Sequence, residues 1–145
     1  MLVQQILKSK ADTTVFTVSP GTLVSEAVAI LAEKRIGTVI ISDDGGKTAS
    51  GILSERDVVR ELAKNGPACL SDKVEDHMTS NLETTTRDEQ ADNVLARMTE
   101  GRFRHMPVVE GGALVGLITL GDVVKARLSE LAMEKDALEG MIMGH

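Results

Sequence analysis

GILSERDVVR, Gly51–Arg60, and GLITLGDVVK, Gly116–Lys125, are one phrase written twice. Each reads glycine, two aliphatics, a hydroxyl residue, two free positions, Asp-Val-Val and a base. Aligning Gly51 with Gly116 gives an offset of 65 residues (116 − 51). Upstream, LAEKRIGTVIIS from Leu31 aligns with MTEGRFRHMPVV from Met98 at an offset of 67 (98 − 31), and Val15–Val18 aligns with Leu82–Thr85. The loop DDGGKTAS, Asp43–Ser50, absorbs the difference against EGGALV, Glu110–Val115. The chain is an internal duplication, and repeats that are too small to bury a core alone pack on each other.

Both units carry the same order of patterns. A short strand at Val15–Val18 or Leu82–Thr85 precedes an amphipathic helix. The helix shows Leu23, Ala27, Ile30 and Leu31 at helical spacing in the first unit, and Ala91, Val94, Leu95 and Met98 in the second. Thr22 and Asp88 are expected as N-caps. Apolar strands follow at Thr38–Ser42 or His105–Val109, then at Gly51–Leu53 or Gly116–Ile118, with helices starting near Ser54 and Thr119. The pattern predicts an α/β (α+β) fold of two β-α-β-β-α repeats packed about a pseudo-twofold axis. The expected division is 1–66 for the first repeat with an N-terminal lead-in, 67–128 for the second with its own lead-in VEDHMTS, and 129–145 for a helical tail.

A net charge of −6 and a pI near 5.1 argue against nucleic acid as the main partner. Phe16 and Phe103 are the only aromatics, which leaves almost nothing for base stacking. Cys69 is the sole cysteine and His77, His105 and His145 are scattered, so no metal cluster is expected and a reducing compartment suits the chain. No apolar run reaches the length of a signal peptide or membrane span. The expectation is a cytoplasmic protein with no membrane partner. No Ser-His-Asp or Cys-His arrangement is evident, which argues against an enzyme.

The repeated Ser54-x-x-Asp57 and Thr119-x-x-Asp122 admit two readings. Each fits a helix capping box, a stabilising device with no further role. Each also places a hydroxyl and a carboxylate at a strand-to-helix junction, where free N–H groups and the helix dipole attract phosphate. The hydroxyl can meet a phosphate oxygen, and the acid can accept from a vicinal diol, as in dinucleotide folds. Glycine pairs Gly45–Gly46 and Gly111–Gly112 read as turns, not phosphate loops.

With GILSERD, GLITLGD, RFRHMPVV and VEDHMTS in register, the sequence resembles a tandem pair of cystathionine-β-synthase (CBS) domains, a Bateman module of the stand-alone bacterial type, from about Val3 to Leu128. The resemblance implies a disc-like, non-catalytic regulatory module that binds adenine nucleotides between its repeats. It implies ribose contacts from Asp57 and Asp122 and phosphate contacts from Ser54 and Thr119. Adenine would be met by the first strands, including Thr17, Val18 and Thr84, with apolar walls from Ile36, Ile52, Phe103 and Leu117. It further implies phosphate contacts from Arg104 and His105, with Arg102 and Arg56 as added candidates, and Pro107 marks an edge beside the pocket. AMP is the simplest ligand; ATP, ADP, NAD(H) and S-adenosylmethionine share its adenosine. The first repeat has Gly37–Thr38–Val39–Ile40 where the second has Arg104–Pro107, so the two sites are expected to differ, one being left with Thr38 and helix-end amides. A homodimer and an unknown effector protein are also implied. The alternative is an adaptor whose acids are only caps. In the tail, Leu128, Leu131, Lys135, Leu138 and Ile142 form a stripe that either packs on its own module or meets a second chain.

Overall fold

A computed structural model describes residues 1–143; His145 and the end of the 129–145 tail lie outside the described residues. Five helices and five strands follow in the order α1 (Val3–Ser9), β1 (Thr17–Val18), α2 (Val24–Lys34), β2 (Thr38–Ile41), β3 (Gly51–Ser54), α3 (Glu55–Asn65), α4 (Ala91–Gly101), β4 (His105–Glu110), β5 (Ala113–Thr119) and α5 (Leu120–Ile142). Short 3₁₀ turns at Pro67–Ser71 and Val74–Asp76 link the halves, and the lead-in VEDHMTS is helical only over that second turn. The first sheet has the order β1-β2-β3, with β1 parallel and β3 antiparallel to β2; the second is the antiparallel pair β4-β5. This is the mixed α+β fold read from the duplication.

β2 is buried at every position, which explains why Thr38–Ile41 shows no alternation. One core joins Val24, Ala27, Leu31, Val39, Ile41, Leu53 and Val58; the other joins Ala91, Val94, Met98, Met106, Val108, Ile118 and Val123. The lead-ins are exchanged between these cores. Val3 and Ile6 of α1 complete the second core, and Val74, with Leu70 and Met78, completes the first.

The exchange corrects the expected caps. α2 begins after Leu23 and α4 after Gln90, neither with a side-chain cap, so Thr22 and Asp88 do not fill that role. The lead-in backbone replaces them: Val24 N–H donates to Asp72 O at 2.9 Å and Ala91 N–H to Met1 O at 2.8 Å. A main-chain carbonyl satisfies an orphan helix donor as well as a hydroxyl does.

Pro107 breaks the symmetry of the sheets. In the first repeat Ile40 N–H donates to Phe16 O (3.0 Å) and Ser42 N–H to Val18 O (2.9 Å), which builds β1. Pro107 aligns with Ile40 and has no N–H to give Glu83. Only Val109 N–H to Thr85 O (2.8 Å) and Thr85 N–H to Pro107 O (2.9 Å) remain. The strand expected over Leu82–Thr85 is therefore a single bridge, Thr85 to Val108.

The exchanged lead-ins also explain the glycine that opens each repeated phrase. A Cβ on Gly51 would collide with Met78 and approach Thr79 O to 3.1 Å; one on Gly116 would meet Leu7 at 3.0 Å. Gly51→Ala is expected to destabilise the protein by roughly 1–3 kcal/mol through overpacking, read as a lowered Tm. Gly21→Ala, with nothing within 4 Å, is the matched control; equal melting of the two variants would contradict the account.

Candidate functional site

The two repeats meet across two clefts. The first, about 900 Å³, is bordered by Ser54, Arg56, Asp57 and Arg60 at the start of α3 and by Asn81–Glu83 of the second repeat. Arg102, Phe103, Arg104 and His105 close it from the turn between α4 and β4. The second, about 400 Å³, is bordered by Lys10, Thr13–Phe16, Lys34–Thr38, Leu117 and Thr119. Gly37, His105 and Thr119 border both, so the clefts share a wall.

Both repeated motifs form capping boxes. Asp57 Oδ2 accepts from Ser54 N–H and Oγ, each at 2.9 Å, and Asp57 N–H donates to Ser54 Oγ at 3.2 Å. In the second repeat Thr119 N–H donates to Asp122 Oδ2 at 3.0 Å, and Asp122 N–H to Thr119 Oγ1 at 3.1 Å. Capping uses one oxygen of each acid, and a carboxylate has about four acceptor positions. Asp57 Oδ1 meets only the exposed Arg60, at 3.5 Å, and keeps capacity toward the first cleft.

Asp122 is placed differently and borders neither cleft. Lys10, arriving from the exchanged lead-in, bonds Asp122 Oδ2 at 2.9 Å and donates to Leu117 O at 3.1 Å. Sequence reasoning missed Lys10 because its neighbour in space lies in the other repeat.

The cations are paired across the duplication. Arg35 and Arg102 are each the C-cap of their helix, in the left-handed region at φ 54° and φ 56°. A non-glycine residue there carries strain, and such strain gathers at functional positions. Arg102 borders the first cleft and Arg35 the second. Lys34 borders the second cleft too, with its Nζ 5.7 Å from the centre of the Phe16 ring. The expectation that one site holds only Thr38 and helix-end amides is thus corrected: Lys10, Lys34 and Arg35 border it as well. The alignment of Arg35 with Arg102 carried this signal.

Ile52 and Phe103 wall the first cleft, and Ile36 and Leu117 the second. Four expected contacts lie elsewhere. Thr17 and Val18 are engaged in β1, pairing with Ile40 and Ile41, while the segment before them, Thr13–Phe16, reaches the second cleft. Thr84 spends its carbonyl on Arg97 at 2.8 Å. Pro107 is buried inside β4 opposite Leu117, not at a cleft edge. Thr38 is 4 % exposed, and its Oγ1 has no hydrogen-bond partner among the described residues while the residue borders the second cleft. A buried unpaired hydroxyl is uncommon and a ligand atom would satisfy it.

His105 occupies the shared wall. Burial holds it below the ordinary imidazole value, Arg104 adds to this, and Glu55, Asp122 and Asp57 oppose it. Its folded value lies below its unfolded one, so the stability it confers is present above about pH 6.5 and is lost as pH falls through the folded value. His105→Gln is expected to lose less Tm than the parent between about pH 7.5 and about pH 5.5. Parallel Tm–pH curves would contradict this.

Among the described residues no group of His, Cys, Asp and Glu could hold a metal ion, and no helix is long and apolar enough to cross a membrane.

The model of the CBS domain matches residues 4–64 and 74–129. A CBS-domain protein of Agrobacterium tumefaciens has a crystal structure with a TM-score of 0.82 and 40% identity, over 88% of this chain and 99% of that one. The CBS domain pair of protein MJ0100, solved with 5′-methylthioadenosine and S-adenosyl-L-methionine, matches with a TM-score of 0.77 and 27% identity, over 90% and 98%. The mitochondrial CBS domain-containing protein CBSX3 of Arabidopsis thaliana is 30% identical over 98% of this chain and 72% of its own length. The duplicated strand-to-helix junctions, the exchanged lead-ins and these matches have one meaning: the chain belongs to the CBS domain family and is a tandem pair of its repeats.

Proposed function

We propose that this protein is a non-catalytic sensor that holds an adenosine-bearing nucleotide in its first cleft and passes its occupancy to an effector protein. One observation carries the reading. Ser54 and Asp57 border the same cleft as Arg56, Arg60, Arg102 and Arg104. A diol acceptor beside several guanidinium groups is the chemistry a nucleoside phosphate needs, and Arg offers paired donors to phosphate. The acidic chain gives no global attraction for anions, so these local cations supply it. The adenosine compounds bound by the relative MJ0100 support an adenosine-type ligand. AMP fits the arrangement with the fewest assumptions; ATP, ADP, NADH and S-adenosylmethionine share its handle. The reading includes a cytoplasmic protein that works as a homodimer, with neither nucleic acid nor membrane as partner.

An adaptor without a ligand is the second reading, and one observation favours it: both Ser/Thr-x-x-Asp boxes are complete as caps. Calorimetric titration of AMP, ATP, NADH and S-adenosylmethionine into ligand-stripped protein separates the two. The sensor requires saturable binding of at least one; folded protein that binds none of the four makes it an adaptor.

A further inference from the structure

We propose that the exposed apolar stripe of α5 from Val124 to Ile142 is a docking surface for a second copy of this chain, the two helices crossing antiparallel. This rests on the two-copy assembly within the proposed function and names its surface. α5 is 23 residues long, about 34 Å at 1.5 Å per residue. Over 128–143 only Glu130 and Gly140 escape full exposure. Val124, Leu128, Leu131, Leu138 and Ile142 are 40%, 62%, 46%, 59% and 84% exposed. With Lys135 they fall at alternating four- and three-residue steps, the seam of a coiled coil. A helix that leaves the body with an apolar stripe and no partner is marginal in water.

The charges beside the seam choose both occupant and direction. In an antiparallel crossing Val124 meets Ile142 of the second copy, Leu128 meets Leu138, and Leu131 meets the apolar stem of Lys135. Lys125 then faces Glu139 of the second copy on both sides of the axis, Arg127 stays with Asp92 of its own chain beside Met141 of the second copy, and Glu134 meets its own counterpart near the centre. Ala132 lies at the centre, where a small side chain allows close approach. A parallel crossing would instead set Glu134 beside Glu139 of the second copy, like against like, and leave Arg127 opposite Ala132. The antiparallel crossing thus sets two opposite-charge pairs against one like pair, the parallel crossing two like pairs against none, and the single Lys135 in the seam acts as a register device.

The test is sedimentation of the full chain with cross-linking. The parent is expected at twice its 15.5 kDa mass, and Leu131→Glu/Leu138→Glu at once that mass, with any loss of helix content confined to the end of α5. A short bismaleimide is expected to join Ala132→Cys to itself, Cys69 being buried. It should not join Met141→Cys, whose copies lie about 24 Å apart in the antiparallel pair. A parent that sediments as monomer overturns this surface and the two-copy assembly together. A double variant that remains dimeric overturns this surface alone, and efficient joining of Met141→Cys overturns the antiparallel direction.

Discussion

Asp57→Asn is expected to weaken AMP binding by about 10- to 100-fold in calorimetry, while Tm changes little. Asn keeps an oxygen for Ser54 N–H, so the start of α3 stays capped. What disappears is the charge. Hydrogen bonds to a charged group contribute about 1.5–3 kcal/mol, and each 1.4 kcal/mol is about tenfold in affinity. Asp57 is mostly buried and its second oxygen has only a long contact to an exposed Arg60. It therefore holds capacity for a ribose that no side chain of the protein takes up fully. Asp122→Asn is the informative comparison, because Lys10 already occupies that carboxylate. It should leave first-cleft affinity within about twofold. Equal losses from both substitutions would mean that the acids act through the fold, not through a ligand.

Lys10→Met is expected to raise the number of AMP molecules bound at saturation from one to two per chain. The Lys10–Asp122 pair is 2.9 Å long with both side chains only 22% exposed. A ribose approaching Asp122 must displace that ammonium and also the bond from Lys10 to Leu117 O. The first cleft has no such barrier; its nearest cation, Arg60, is 70% exposed and swings away freely. Methionine keeps the length of the stem and its packing against the lead-in while freeing Asp122. The remaining cations Lys34 and Arg35 and the unpaired Thr38 Oγ1 then offer a complete second site. Lys10→Arg retains a cation and should retain the parent stoichiometry. If the parent already binds two molecules with equal affinity, Lys10 is no lock. A Lys10→Met variant that still binds one would show that the smaller cleft fails for another reason.

The duplication made most of the fold legible. Gly51 against Gly116 fixes the junctions, and the apolar runs at Thr38 and His105 fix the central strands. The structure departs from that reading where one repeat borrows from the other. Thr22 and Asp88 looked like caps because each sequence window was read alone, yet the donors they would have served go to Asp72 and Met1 of the exchanged lead-ins. Leu82–Thr85 looked like a strand because its match, Val15–Val18, is partly one; Pro107, far along the chain, withholds the N–H that would complete it. The same holds for the candidate site. Ser54, Asp57 and Arg104 were visible as a local motif and a basic run. Lys10 was not, since nothing near it in sequence mentions Asp122. Arg35 was visible only as the partner of Arg102 in the alignment, and its left-handed backbone belongs to no sequence pattern.

The central claim is that the first cleft holds a nucleoside phosphate, and the most direct measurement is an AMP titration followed by backbone amide shifts of the isotopically labelled protein. The account predicts saturating shifts at Gly37, Ser54, Asp57, Leu82 and Arg102–His105, with Thr13 and Thr14 unmoved. A folded protein with no saturating shifts, or with shifts confined to Lys10–Phe16, would contradict it.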